Sequence, residues 1–253
     1  MVKEDERLDL VSHLEELRTR LIRVILYAIV AATVVWFFYK PLYSFLMRPI
    51  SGPLKKFGGE LFVRGVLEGL LIKCEIALVG GLIVAAPFIY WEIWAFVAPG
   101  LTTTERRAAR FLVPVSGVLF LMGVALGYLI TGPSVKWLLL YVPPGAAARF
   151  TVNDTLLLFL KFYVAFGLGF QLPIVLIVLA ELGIVDSRLL SARWREAVIV
   201  ILLVAAIITP TWDPITMTVC AAPMVALYLG TIGIIRVIER RRRRAEESEA
   251  SAG

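Results

Sequence analysis

Long apolar runs separated by short polar stretches dominate this chain. Crossing the hydrocarbon core of a bilayer takes about 20 mostly apolar residues in a helix. The pattern predicts four such helices, at about 21–39, 70–98, 108–131 and 155–181. Two more follow at about 196–209 and 215–238, joined by Thr209-Pro210-Thr211-Trp212-Asp213-Pro214, a proline-punctuated turn that cannot continue a helix. The fifth is short. Its uninterrupted apolar stretch, Ala197 to Ile208, is 12 residues, or about 18 Å at the helical rise. Two readings stay open: a helix shielded by its neighbours, or one met by snorkelling ends and a thinned bilayer.

The expected fold is therefore an all-α membrane protein of six transmembrane helices forming one domain over 1–238. Leu10, Leu14, Leu17 and Leu21 recur at steps of four, three and four, which predicts an amphipathic helix over 9–20. Ser12 and Glu15 have capping-box spacing, which would start that helix near Ser12. Pro87, Pro114, Pro173 and Pro223 fall inside four spans and predict bends. The connections 40–69 and 132–154 carry prolines together with aromatic and aliphatic residues. They read as short interfacial helices forming an external cap, with ordinary surface loops as the alternative. The tail, 239–253, is basic and then acidic and is expected to be disordered.

Loop charge sets orientation. Of the 26 Lys and Arg residues, 17 fall on the side of the two termini, so both termini are expected in the cytoplasm. Composition agrees with a membrane protein. Of the 253 residues 59% are hydrophobic and 18% charged, and the mean hydropathy is +0.84. A soluble domain of this length has too little interior for that much apolar surface. The net charge of +6 follows from the loop bias and does not imply nucleic acid. Cys74 and Cys220 are isolated and suggest neither a disulfide framework nor a metal site. The acidic, polar start, MVKEDERLDL, reads as neither a secretory signal nor a transit peptide, which points to a prokaryotic plasma membrane.

Candidate chemistry is sparse. The one histidine, His13, has no Ser/His/Asp set, metal cluster or phosphate loop around it in the sequence, so no enzyme, cofactor or metal is expected. Ionisable residues such as Glu75, Glu92, Lys161 and Glu181 lie toward span ends, whereas proton or ion pathways place them near the midplane. The most central strongly polar side chain is Gln171, an amide suited to bonding a partner helix. A small-solute carrier or channel is the alternative reading. Polar residues concentrate instead at the cytoplasmic face. Glu16 is free of the capping box and either binds a ligand or pairs with Arg20 at i+4. Glu105 either binds a ligand or closes a second capping box with Thr102.

The chain resembles the C subunit of the twin-arginine protein translocase, the TatC family, along nearly all its length. The resemblance is carried by Ser12-His13-Leu14-Glu15-Glu16-Leu17-Arg18, Ala86-Pro87, Trp94-Ala95-Phe96-Val97-Ala98-Pro99-Gly100-Leu101 and Glu105-Arg106-Arg107. It continues through Ala165-Phe166-Gly167, Phe170-Gln171-Leu172-Pro173, and Thr209-Pro210 with Asp213. It implies a receptor and scaffold for folded proteins bearing a signal peptide with two consecutive arginines, exported by the proton motive force without ATP. It implies that Glu16 and Glu105 line the recognition surface, with Arg18, Phe96, Arg106 and Arg107 supporting it. A guanidinium offers a planar donor fork that suits a carboxylate. Pro49, Pro87, Tyr128 and Asp213 match structural or translocation-sensitive positions. Implied partners are TatA-type and TatB-type single-span subunits, the bilayer and further copies of the chain. Many relatives have glutamate where this chain has Gln171, so a charged role there is not carried over.

Overall fold

The structure, a computed structural model, describes residues 2–97, 103–143, 146, 148–208 and 214–250. The turn at 209–213, with Asp213, lies outside them. The chain divides into two compact units, residues 1–164 and 165–253.

The first unit opens with α1 (Val2–Phe37), followed by α2 (Tyr39–Lys56), β1 (Glu60–Phe62), α3 (Glu68–Val97), α4 (Thr103–Leu139), β2 (Arg149–Thr151) and the start of α5 (Val152–Gly169). The helix expected over 9–20 is not separate. It is one with the first span, and Ser12 lies inside it rather than at its N-cap. Residues 2–12 contain no glycine or proline that would break the helix. Leu14, Leu17 and Leu21 are exposed. These leucines thus lie on an exposed surface, and of the polar residues around them Glu16 and Arg20 are half-buried while Glu15, Arg18 and Thr19 are exposed.

α1 packs on α3. On α3, Ala77, Gly81 and Ala85 recur every four residues and all are buried. Such a small-residue stripe lets helix backbones approach closely where lipid removes the hydrophobic drive for association. Glu92 is buried on α3 as well, two turns beyond Ala85. At the other end α2 buries Leu46, Met47, Ile50 and Leu54 along one face, which confirms a helix in the connection 40–69. The structure adds what patterning missed: β1 pairs in parallel with β2, Glu60 opposite Arg149. Three-residue strands are too short for alternation to register. Arg64 pairs with Asp154 at 2.7 Å, and Glu68 accepts from the backbone N–H of Arg64 and of Asn153. These contacts tie the connections 40–69 and 132–154 together.

Pro49 explains a further tie. It sits inside α2 and has no N–H, so the carbonyl of Phe45, four residues back, loses its helical donor. Tyr128 on α4 supplies the missing bond at 3.0 Å, its ring stacked on Phe45 at 4.4 Å. Tyr128 also lines an apolar cavity of about 400 Å³ with Phe45, Ile76, Val124 and Tyr163.

The second unit holds the end of α5, then α6 (Leu172–Glu181), α7 (Ser187–Ala192), α8 (Trp194–Ile208) and α9 (Pro214–Ala250). The expected span 155–181 is interrupted at Phe170 and Gln171, because Pro173 at the start of α6 cannot donate to the preceding turn. The other span prolines, Pro87, Pro114 and Pro223, lie inside helices that run past them. Gly183 ends α6 with φ of 71°, a left-handed conformation suited to glycine. Asp186 caps α7 through the Leu189 N–H at 2.6 Å. Glu239 of α9 accepts from the Ser187 N–H at 2.7 Å and its hydroxyl at 2.5 Å.

Among the described residues, five segments are long and apolar enough to cross a membrane: His13–Phe37, Glu68–Val97, Leu112–Leu139, Val152–Glu181 and Met217–Arg241. α8 is 15 residues, about 22 Å long, against a core of about 30 Å. α9 runs as helix to Ala250, through the basic and acidic run after Ile238. Its Arg, Ala and Glu residues are good helix formers with no breaker among them.

Candidate functional site

Glu16 and Arg20 are one turn apart on α1, on the face that meets α3. The Arg20 guanidinium donates from Nε at 2.9 Å and from Nη2 at 2.5 Å to one oxygen, Oε1, of Glu16. Its third contact runs from Nη1 to Oε2 of Glu92 on α3, at 3.0 Å. Glu92 is the buried member, its side chain 5% exposed against 33% for Glu16. Its other oxygen accepts from the Tyr27 hydroxyl at 3.3 Å and faces Arg23 Nη1 at 3.8 Å. A buried carboxylate needs this degree of pairing, because one left unpaired carries a heavy desolvation cost.

His13 completes the cluster. Its Nδ1 lies 3.7 Å from Oε2 of Glu16, and its ring stacks on Phe96 with centroids 4.4 Å apart. Phe96 follows Glu92 by four residues and shares its face of α3. Phe96 thus forms a shelf against the His13 ring, and His13 in turn lies next to Glu16. Oε2 of Glu16 thus faces His13 and takes no bond from Arg20, and the side chain as a whole is one-third exposed.

Of the two readings of Glu16, pairing with Arg20 is present, and it does not use up the carboxylate. Arg18 is exposed and forms no ion pair with the described residues. At i+2 from Glu16 it points away, whereas i+4 places Arg20 alongside. Glu105, Arg106 and Arg107 begin α4, but their side chains lie outside the described residues, as does the Thr102 capping box. Pro87 lies against Gly117 of α4, and Pro49 and Tyr128 have the helix-joining geometry given above. Gln171 is half-buried at the break between α5 and α6, where its carbonyl accepts from the Ile174 and Val175 N–H groups.

Sequence reasoning missed Glu92 as the second acid on Arg20, along with Arg23 and Tyr27, which face Glu92. One signal was available: Glu92, followed by Phe96 at i+4, is the one charged residue of α3 after Glu75. Among the described residues no group of three or more His, Cys, Asp or Glu could hold a metal ion. The second unit has its own fixed polar end, with Arg236 donating to the Ser191 hydroxyl at 2.5 Å and Tyr228 to the Leu190 carbonyl at 2.9 Å.

Comparison with known proteins agrees with these observations. The family model for TatC, Sec-independent protein translocase protein, matches residues 12–223. A protein of that name from Koribacter versatilis is 34% identical over 246 residues, covering 96% of this chain and 91% of its own. Another, from Deinococcus radiodurans, is 36% identical, covering 90% and 87%. A crystal structure of a twin-arginine translocase receptor, TatC, in DDM aligns with a TM-score of 0.78 at 32% identity, covering 88% of this chain and 99% of that one. A mostly helical, multi-pass membrane chain with these matches belongs to the TatC family of Sec-independent protein translocase proteins.

Proposed function

We propose that this chain is the signal-peptide receptor and core scaffold of a twin-arginine translocase, exporting folded proteins with the proton motive force. The observation that supports it best is the Glu16 carboxylate. It is partly exposed, backed by Arg20 and Glu92, and flanked by the His13–Phe96 stack. A partly exposed carboxylate on a rigid helix beside an aromatic shelf suits a guanidinium, which can bond the acid and stack on a ring. Glu105 supplies the second acid, with Arg106 and Arg107 beside it.

The chain crosses a prokaryotic plasma membrane six times, α8 forming the short fifth span, with both termini in the cytoplasm. That orientation rests on the 17 of 26 basic residues on the terminal side. TatA-type and TatB-type single-span subunits and further copies of the chain are its partners, with Gln171 contacting a partner helix.

Crosslinking of a twin-arginine peptide to the full chain tests this. Glu16→Ala and Glu105→Ala are each expected to weaken crosslinking while the protein still inserts and purifies. Normal crosslinking in the double variant overturns the reading. A twin-lysine peptide at two salt concentrations separates a shaped contact, whose preference survives salt, from diffuse charge attraction.

A further inference from the structure

The Glu16 carboxylate already holds a guanidinium. Arg20 places two donors on the single oxygen Oε1 of Glu16 and one on Oε2 of Glu92, so its planar set of donors is shared between two acids. We infer that Arg20 is an internal occupant of the Glu16 carboxylate that an incoming guanidinium displaces, and that buried Glu92 retains Arg20 once it is displaced. This makes Arg20 and Glu92 specificity-determining residues of the site. The inference rests on the reading of Glu16 as the acceptor of a signal-peptide arginine.

Three features carry it. The two ends of the bridge differ in burial. Glu92 is enclosed and must stay paired, whereas Glu16 is one-third exposed and can be served by water or a ligand. Arg20 is therefore anchored at Glu92 and exchangeable at Glu16. Glu92 also accepts from Tyr27 and faces Arg23 on its second oxygen, so it stays satisfied while Arg20 shifts. Finally, the formal charges of Glu16, Glu92, Arg20 and Arg23 cancel. A cation approaching this cluster meets little net attraction and gains Glu16 by matching the bonds Arg20 gives up. A guanidinium can match two donors in a plane; an ammonium is a point charge and cannot. An unoccupied carboxylate would accept either cation more evenly. Internal occupancy thus sharpens selection of arginine over lysine, at a cost in affinity.

A merely structural bridge between α1 and α3 predicts a different result, which makes the idea testable. Dissociation constants are measured for fluorescent twin-arginine and twin-lysine peptides on the full chain in detergent. Arg20→Gln is expected to bind both peptides more tightly and to narrow the arginine-to-lysine ratio by about threefold or more. Glu92→Gln leaves Arg20 with Glu16 as its acidic partner and is expected to weaken twin-arginine binding by about threefold or more. Weaker binding in Arg20→Gln, or an unchanged ratio, while Glu16→Gln abolishes binding, overturns the inference and leaves the recognition reading standing. Undiminished binding in Glu16→Gln removes both. Should Arg20→Gln fail to purify as a single species, Arg20→Lys is read instead. It keeps the cation without the fork, so a narrowed ratio supports internal occupancy and an unchanged ratio overturns it.

Discussion

Gly81→Ala tests the contact that sets α1 against α3. A Cβ added at Gly81 would lie 2.5 Å from both the Cα and the backbone N of Ala32, and 2.8 Å from its Cβ. Ordinary contact between carbons begins near about 3.5 Å, so the helices would have to part by roughly 1 Å. Two of the three obstacles are backbone and cannot rotate away. Overpacking costs about 1–3 kcal/mol, with rigid obstacles at the upper end. Replacing glycine by alanine in a helix returns up to about 1 kcal/mol. The clash wins, with a net loss of about 2 kcal/mol. For a chain of this size that lowers the melting temperature by roughly 4–8 °C, measured by thermal unfolding of the detergent-solubilised protein. Gly69→Ala is the control: nothing lies within 4 Å of its added Cβ, and no loss is expected. Adding Ala32→Gly to Gly81→Ala should restore little, because the backbone atoms of residue 32 remain in place. A variant melting at or above the parent, or full rescue by Ala32→Gly, refutes the close backbone approach.

Two further substitutions probe joints between helices. Trp94 donates to Ser116 at 2.8 Å, and both are buried. Ser116→Ala leaves the indole N–H without that acceptor and should cost about 1–3 kcal/mol, read as a lower melting temperature; an unchanged melt would remove the joint. Tyr128→Phe keeps the ring stack but strips the donor from the Phe45 carbonyl, which Pro49 already deprives of its helical partner. The expected loss is about 1–2 kcal/mol. Restoring a backbone donor with Pro49→Ala in the same chain should recover part of it, and no recovery would show that the hydroxyl is not substituting for a helix bond.

Much of the fold is legible in the chain because lipid imposes a simple rule. Runs such as 70–98 and 215–238 contain enough consecutive apolar residues to span a bilayer, and any solvent-facing alternative would expose them. Pro173 likewise marks the break at Phe170–Gln171, since the missing N–H is a covalent fact. The motif around Glu16 is legible for the same kind of reason: its residues are contiguous, and i+4 spacing fixes Arg20 beside it.

Other features depend on where the helices meet. The leucines at 14, 17 and 21 have the spacing of a buried stripe, yet they face outward, because periodicity identifies a face and not the medium that covers it. Burial of Glu92 is equally invisible locally. It is joined to Arg20 across 72 positions, and its role appears when Ala77, Gly81 and Ala85 bring α3 against α1. The β1–β2 pairing and the Tyr128–Phe45 bond are also long-range, each satisfying a backbone group whose partner lies elsewhere in the chain. The sequence by itself settles which long segments can live in lipid and that Arg20 lies one turn from the Glu16 carboxylate, because those follow from local composition and helical spacing. Tertiary structure decides which charge that carboxylate already holds, because pairing depends on the separation of two helices that no local pattern encodes.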